Sequence, residues 1–294
     1  MILLPTLNPR LEQRLIDLYR DHLERAAAID WSYHEFVPWG QGQCFRENPW
    51  SLEQRKLPPA IYTAIETALL TEVNLPWFTT YLCQTFVGSL NVMREFIHTW
   101  VAEEDQHSNL LENYLILTRN SNPSDLHHLR KSVVYGGFES SFTTPIEAIT
   151  YASFQELSTL VFYNNVAKAA TPYDRTLSTL LRRLAKDESL HYAFYRDAVK
   201  AHLDLEPNYI YYVRNVLLGF FMPGENMPDF AERMKTIARD ANYGPQHYYK
   251  QVVQALVDYW DFENLKPTAP EAELARQEVL KYCNRLERIA KRYA

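Results

Sequence analysis

The chain has 294 residues, 47% of them hydrophobic, which is enough to bury a large core. Its formal net charge of -6 excludes the strongly basic surface that a nucleic-acid partner calls for. Only eight glycines occur among many Ala, Leu, Glu, Gln and Arg residues, which favours helix over sheet, and 20 tyrosines point to a large aromatic core.

Met1 to Leu7 reaches a proline at once and carries no signal-peptide pattern. Asn8 opens a first amphipathic segment that runs to about Ala28, followed by an irregular aromatic stretch, Trp31 to Trp50, broken by Pro38, Gly40, Gly42 and Pro49. Residues 59–86 read as one helix bent by Pro76. A long helix follows at 89–118, then a short one at about 124–134 closed by Gly136 and Gly137. Pro145 starts a helix to about Ala170, and Pro172 starts another to about Leu203. Shorter amphipathic pieces come after Pro207, at about 208–221, 228–240, 245–258 and 269–293. With no low-complexity linker, residues 1–294 form a single all-α domain: a bundle core at about 59–204 and a helical C-terminal cap at about 208–293. No apolar run reaches the roughly 18 residues of a membrane span. Cys44, Cys83 and Cys283 form no CxxC pair, which argues against a disulfide framework and for a reducing cytoplasm.

Two motifs carry chemistry, Glu103-Glu104-Asp105-Gln106-His107 and Asp187-Glu188-Ser189-Leu190-His191. Each holds Glu-x-x-His inside a helix, so a carboxylate and an imidazole share one face. That pair suits an oxidisable divalent metal. A third copy, Glu95-Phe96-Ile97-His98, lies nine residues before Glu104 and His107 on the same helix. At about 100° per residue it faces away, and it reads as structural. The other two copies have company. Glu72 precedes Glu104 by 32 residues (104 − 72), and Glu156 precedes Glu188 by the same 32 (188 − 156). One offset of 84 relates Glu72 to Glu156, Glu104 to Glu188 and His107 to His191. Applied to Glu95 and His98, it lands on Thr179 and Arg182. Two helix pairs thus each supply Glu and then Glu-x-x-His, the ligand set of a ferritin-like di-iron carboxylate bundle. Four buried carboxylates without cations would repel one another at a cost of several kcal/mol, whereas two divalent ions neutralise them.

With these residues in hand, the chain resembles the soluble acyl-acyl-carrier-protein desaturases. The resemblance runs from about Trp31 to the C-terminus and rests on Trp100 to His107, Ser153-Phe154-Gln155-Glu156, Asp187 to His191, and Thr71-Glu72 before Leu75-Pro76. It implies that Glu72, Glu104, His107, Glu156, Glu188 and His191 bind two iron ions. Glu104 and Glu188 would bridge, and Glu72 and Glu156 would be terminal. It further implies a chain from His107 through Asp187 to Trp31, and a Thr159 hydroxyl facing the oxygen side of the site. Two departures stand out: family members often have Arg where this chain has Gln106, and plant members carry carrier-binding lysines where this chain reads Arg25-Ala26-Ala27-Ala28-Ile29-Asp30.

By the same resemblance the reaction is O₂-dependent introduction of a cis double bond into a saturated acyl chain. The chain would be presented by acyl carrier protein, a ferredoxin-type donor would supply electrons, and the enzyme would be a homodimer whose tyrosine-rich surface helices need a partner. Phe86, Phe96, Phe154 and Phe162 are candidates to line an apolar slot for the acyl chain. Two other readings share the ligand set: a di-iron hydroxylase or N-oxygenase, and a non-catalytic iron-binding protein. The C-terminal helices count against the second, since a minimal bundle does not need them.

Overall fold

Prolines and short polar side chains set where the helices begin. The computed structural model describes residues 8–88 and 90–292, so the reading of Met1 to Leu7 lies outside the described residues. Every regular element among them is helical. Helix α1 (Pro9–Ala28) is capped by Asn8, whose side chain accepts from the amides of Arg10 and Leu11. Helix α2 (Pro59–Glu72) begins on a proline, whose missing N–H costs nothing in the first turn.

Residues 59–86 are two helices rather than one bent rod. Helix α3 (Leu75–Thr85) restarts after a turn at Val73 and Asn74. Pro76 has no N–H to offer the Glu72 carbonyl four residues back, and its ring would clash with that carbonyl. The break therefore falls directly after Glu72 and leaves that residue at a helix end. Helices α4 (Asn91–Leu117) and α5 (Pro123–Gly136) follow. Thr144 and Glu147 form a reciprocal capping box at the start of α6 (Pro145–Ala170). Helix α7 (Arg175–Leu205) starts later than Pro172, because Asp174 caps it by accepting from the Leu177 amide.

Helices α2, α4, α6 and α7 form a ferritin-like bundle, in which α6 runs along α7, α4 packs on α2 and α7, and α2 touches α6. Helix α1 lies across α4 and α7. The C-terminal cap is built from α8 (Ile210–Gly219), α9 (Phe230–Asp240), α10 (Pro245–His247), α11 (Gln254–Tyr259) and α12 (Pro270–Ala290). A π-helical turn, Tyr248–Val253, joins α10 to α11. Helix α9 packs on α2, α8 on α6, and α12 on α8.

The core is aromatic: Trp100, Trp260, Tyr114, Tyr151, Tyr163 and Tyr195 are fully buried. Three of these tyrosines donate to half-buried acceptors, namely Asp174, the Phe221 carbonyl and Glu72. No helix among the described residues is long and apolar enough to cross a membrane. The three cysteines are free.

Candidate metal centre

Each bundle helix brings one carboxylate to a common point, and α4 and α7 each add an imidazole one turn further on. Two groups of potential ligand atoms result, each lying within 4.8 Å: Glu104, Glu156, Glu188 and His191 form one, and Glu72, Glu104 and His107 the other. Glu104 belongs to both. Its carboxylate oxygens lie 3.0 Å from His107 Nδ1 and 2.7 Å from His191 Nδ1. Glu188 also reaches both sides, since its Oε1 is 3.2 Å from His107 Nδ1. Glu72 lies 3.9 Å from His107 Nδ1, and Glu156 3.6 Å from His191 Nδ1. Glu95 and His98 are exposed on the far side of α4.

The outer faces of the two histidines are held crosswise. His107 on α4 meets Asp187 on α7, with Nε2 3.1 Å from Oδ2. His191 on α7 meets Glu103 on α4, with Nε2 2.9 Å from Oε2. Each carboxylate fixes the Nε2–H tautomer and turns Nδ1 toward the cluster. Asp187 also accepts from Arg183 at 3.1 Å, and Glu103 also meets His22 of α1 at 3.1 Å. The carboxylates have partners too: Tyr163 donates to Glu72 at 2.5 Å, and Trp100 Nε1 to Glu156 at 3.2 Å.

The second link of the chain from His107 differs from the hydrogen bond that the resemblance implies. Among the described residues no hydrogen bond joins Trp31 to Asp187; the Arg183 guanidinium touches both, 4.8 Å from the Trp31 ring centroid and 3.1 Å from Asp187 Oδ1. Thr159 donates its hydroxyl to the Gln155 carbonyl at 3.1 Å, while its side chain borders the cavity described below. Gln106 accepts from the Tyr33 amide at 3.0 Å and so ties the aromatic N-terminal stretch to α4.

The electrostatics call for added positive charge. Burial pushes the Glu72 carboxyl up to about 7, with His107 opposing and Glu104 adding to the rise. Burial and the Glu104 charge also raise Glu156 and Glu188. For Glu104 burial opposes ionisation, but the His107 and His191 imidazoles outweigh it and hold the carboxyl well below its usual range. Burial opposes protonation of both histidines, yet their carboxylate neighbours, Glu104 first, raise them. Without cations, then, the cluster retains protons that ordinary carboxylates and imidazoles would lose. Glu104 Oε1, His107 Nδ1 and His191 Nδ1 are buried with no hydrogen-bond partner. Metal–ligand bonds of about 2.0–2.2 Å place neighbouring ligand atoms on one ion roughly 3–4 Å apart. The spacings here match that, and the four carboxylates would neutralise two divalent ions.

A cavity of about 700 Å³ borders the cluster at Glu72 and Thr159 and is lined by Phe162, Tyr163, Met234 and Tyr243. Lys235 and Arg239, both exposed, also line it. Of the four phenylalanines considered for an apolar slot, Phe162 borders this cavity. Phe86, Phe96 and Phe154 instead fill the core with no exposed surface.

Comparison with known proteins agrees with this arrangement. DesA1 of Mycobacterium tuberculosis, assigned as an acyl-acyl-carrier-protein desaturase, is 31% identical over 242 residues, covering 78% of this chain and 71% of that protein. The chloroplastic stearoyl-acyl-carrier-protein 9-desaturase 2 of Arabidopsis thaliana is 30% identical over 192 residues, 60% of this chain and 46% of that one. The X-ray structure of M. tuberculosis DesA2 superposes with a TM-score of 0.70 at 21% identity, covering 90% of this chain and 98% of DesA2, and so shares the fold. A profile of the fatty acid desaturase family matches residues 7–294, and the chain belongs to that family.

Proposed function

We propose that this chain is a di-iron, O₂-dependent desaturase that places a cis double bond in a saturated acyl chain carried on acyl carrier protein. One observation carries the reading: two ligand groups share Glu104 and open, at Glu72 and Thr159, onto a largely apolar cavity. An iron-storage role does not call for such a cavity. The relatives named as acyl-acyl-carrier-protein desaturases support the substrate class.

Glu72, Glu104, His107, Glu156, Glu188 and His191 would hold the two irons between them, Glu104 and Glu188 being the carboxylates that lie near the ligands of both groups. The bound pair supplies O₂ activation. The overall balance is two hydrogens from adjacent methylenes, two electrons from a ferredoxin-type donor and two protons, with O₂ leaving as two waters. Asp187 and Glu103 keep the imidazole Nδ1 atoms free for metal by holding the protons on Nε2. Tyr163 and Trp100 restrain the Glu72 and Glu156 carboxylates by donating to them. The apolar walls exclude water from the reacting carbons. The proposal includes the cytoplasm, supported by three free cysteines, and a homodimer, supported by exposed Trp77, Val87 and Tyr135 on and beside α3 and α5.

Protein loaded with ferrous iron, given reduced ferredoxin, O₂ and a saturated acyl-carrier substrate, should release a chain two hydrogens lighter. A hydroxylated chain would assign it instead to the hydroxylases on this fold. Turnover of neither kind on any acyl carrier would remove the reading. Light scattering at micromolar concentration checks the dimer.

A further inference from the structure

The two imidazoles of the cluster are held from outside in different ways. Asp187 uses both of its oxygens: Oδ2 faces His107 Nε2, and Oδ1 accepts from Arg183. Glu103 uses one. Its Oε2 lies 2.9 Å from His191 Nε2 and 3.1 Å from His22 Nε2. A carboxylate only accepts, so both Nε2 atoms carry hydrogen and converge on the same oxygen. Two N–H groups meeting there fix where that oxygen sits. Glu103 has use for the restraint: its side chain is 21% exposed, and among the described residues no third group hydrogen-bonds it.

His22 comes from α1, outside the four helices that carry the ligands. It is 3% exposed, edge-on to Phe96 at 5.0 Å and Phe194 at 6.1 Å and stacked on the His191 ring at 6.0 Å. Its Nδ1 is buried without a hydrogen-bond partner. Among these rings an apolar side chain would pack without stranding a polar atom. Packing alone therefore does not account for an imidazole here, and what the imidazole adds is the Nε2–H given to Glu103. Helix α1 has other anchors: Tyr19 bonds Thr99 at 2.7 Å, and Arg14 pairs with Asp204 at 3.0 Å. Removing the His22 hydrogen bond should thus leave the helix in place.

We infer that His22 is a positioning residue of the metal centre: by fixing Glu103 Oε2 it orients His191 and strengthens the hold on the ion that His191 binds, without acting on the ion at His107. A carboxylate bonded to the far nitrogen of a ligand imidazole fixes its ring and raises its basicity, and it does both better when it is itself held. Helix α1, which carries no ligand, thereby becomes part of one metal site. This rests on the two-metal reading of the cluster and on no choice of substrate.

Co²⁺ alone tests it, because Co²⁺ takes the same carboxylate and imidazole ligands as ferrous iron and shifts the NMR signals of protons near it. The wild-type chain should bind about two Co²⁺ ions and show a shifted, solvent-exchangeable N–H signal from His107 and another from His191. Asp187→Asn, which disturbs the first, assigns them. His22→Phe keeps a ring among its aromatic neighbours and should raise one of the two Co²⁺ dissociation constants about tenfold. The His191 signal should move or exchange faster while that of His107 stays. His22→Leu should repeat this result, so the test does not hang on the folding of one variant. His22→Gln retains an N–H donor and should recover most of the affinity. In a Glu103→Ala background, His22→Phe should cost nothing further. Unchanged Co²⁺ affinity in folded His22→Phe and His22→Leu, equal weakening of both ions, His22→Gln no better than His22→Phe, or full additivity with Glu103→Ala would each overturn the inference while the metal reading stands. A wild-type chain that binds no Co²⁺ would overturn both.

Discussion

Glu104 stands in both ligand groups, so its loss should release both ions and not one. Metal analysis should find roughly two irons per chain, and Glu104→Ala and Glu188→Ala should abolish them. Glu95→Ala and His98→Ala, which alter an exposed pair with the same spacing, should leave iron content unchanged. The offset of 84 residues made the six inward residues legible before any fold was known, because a repeat of helix pairs preserves register. The same offset joins Glu103 to Asp187 (187 − 103), the two carboxylates that hold the histidines. Glu103 was therefore readable too, once the repeat was extended one position outward. Tyr163 and Arg183 were not: each sits in a helix with nothing in its neighbours to mark it, and only packing aims it at Glu72 or Asp187. Arg183 changes the expectation for electron entry. Asp187→Asn and Arg183→Leu should keep near-normal iron content but slow reduction by ferredoxin in stopped-flow experiments. Trp31→Phe keeps a ring beside the guanidinium and should slow it less. Equal rates in all three variants and the wild type would leave these residues as packing.

At the scale of elements, helix starts were easier to read than helix breaks. Asn8, Asn122, Thr144 and Asp174 are cap residues whose side chains accept from first-turn amides. Pro172 was misleading as a start because Asp174, two residues later, competes for the same role and succeeds through Leu177. Replacing Thr144 by Ala removes one half of the α6 capping box and should cost about 1 kcal/mol of stability by denaturant unfolding. Metal content should not change, since Glu156 lies three turns inside that helix. The break after Glu72 follows from the chemistry of Pro76, but its sharpness depends on whether neighbouring packing tolerates a kink or separates the rods. The π-helical turn at Tyr248–Val253 left no sequence mark; it widens the backbone where Tyr248 borders the large cavity. Phe86, Phe96 and Phe154 were plausible lining residues by helix position alone. Apolar periodicity marks burial but does not distinguish a packed core from a cavity wall.

Across the whole molecule, the metals would act as a staple, because their ligands come from four helices separated in sequence. Ions bound at about a thousand times their dissociation constant stabilise a fold by about 4 kcal/mol each. Chelation should therefore lower the melting temperature by on the order of 10 °C. The C-terminal cap packs on α2 and α6, both of which carry ligands, so bundle and cap should melt in a single calorimetric transition. The chelated protein should also acquire a pH dependence whose sign is fixed by the cluster. Burial raises Glu72 to about 7 and lifts Glu156 and Glu188 in the same direction. Between the ordinary carboxylate range and these raised values the folded chain binds more protons than the unfolded chain, so stability falls as pH rises through that window. His107 and His191 are raised above their ordinary values. Their contribution is complete below about 6.5 and is lost as pH climbs through the folded values. Both effects have the same sign. Glu103, Glu104 and Asp187 are held low and act only in more acidic solution. The metal-free protein should thus melt at a lower temperature at pH 8 than at about pH 6. Metal displaces those protons, so two equivalents of ferrous iron should flatten the curve. A chelated protein whose melting temperature is level or rising across that interval would show that the cluster does not hold the extra protons its burial demands.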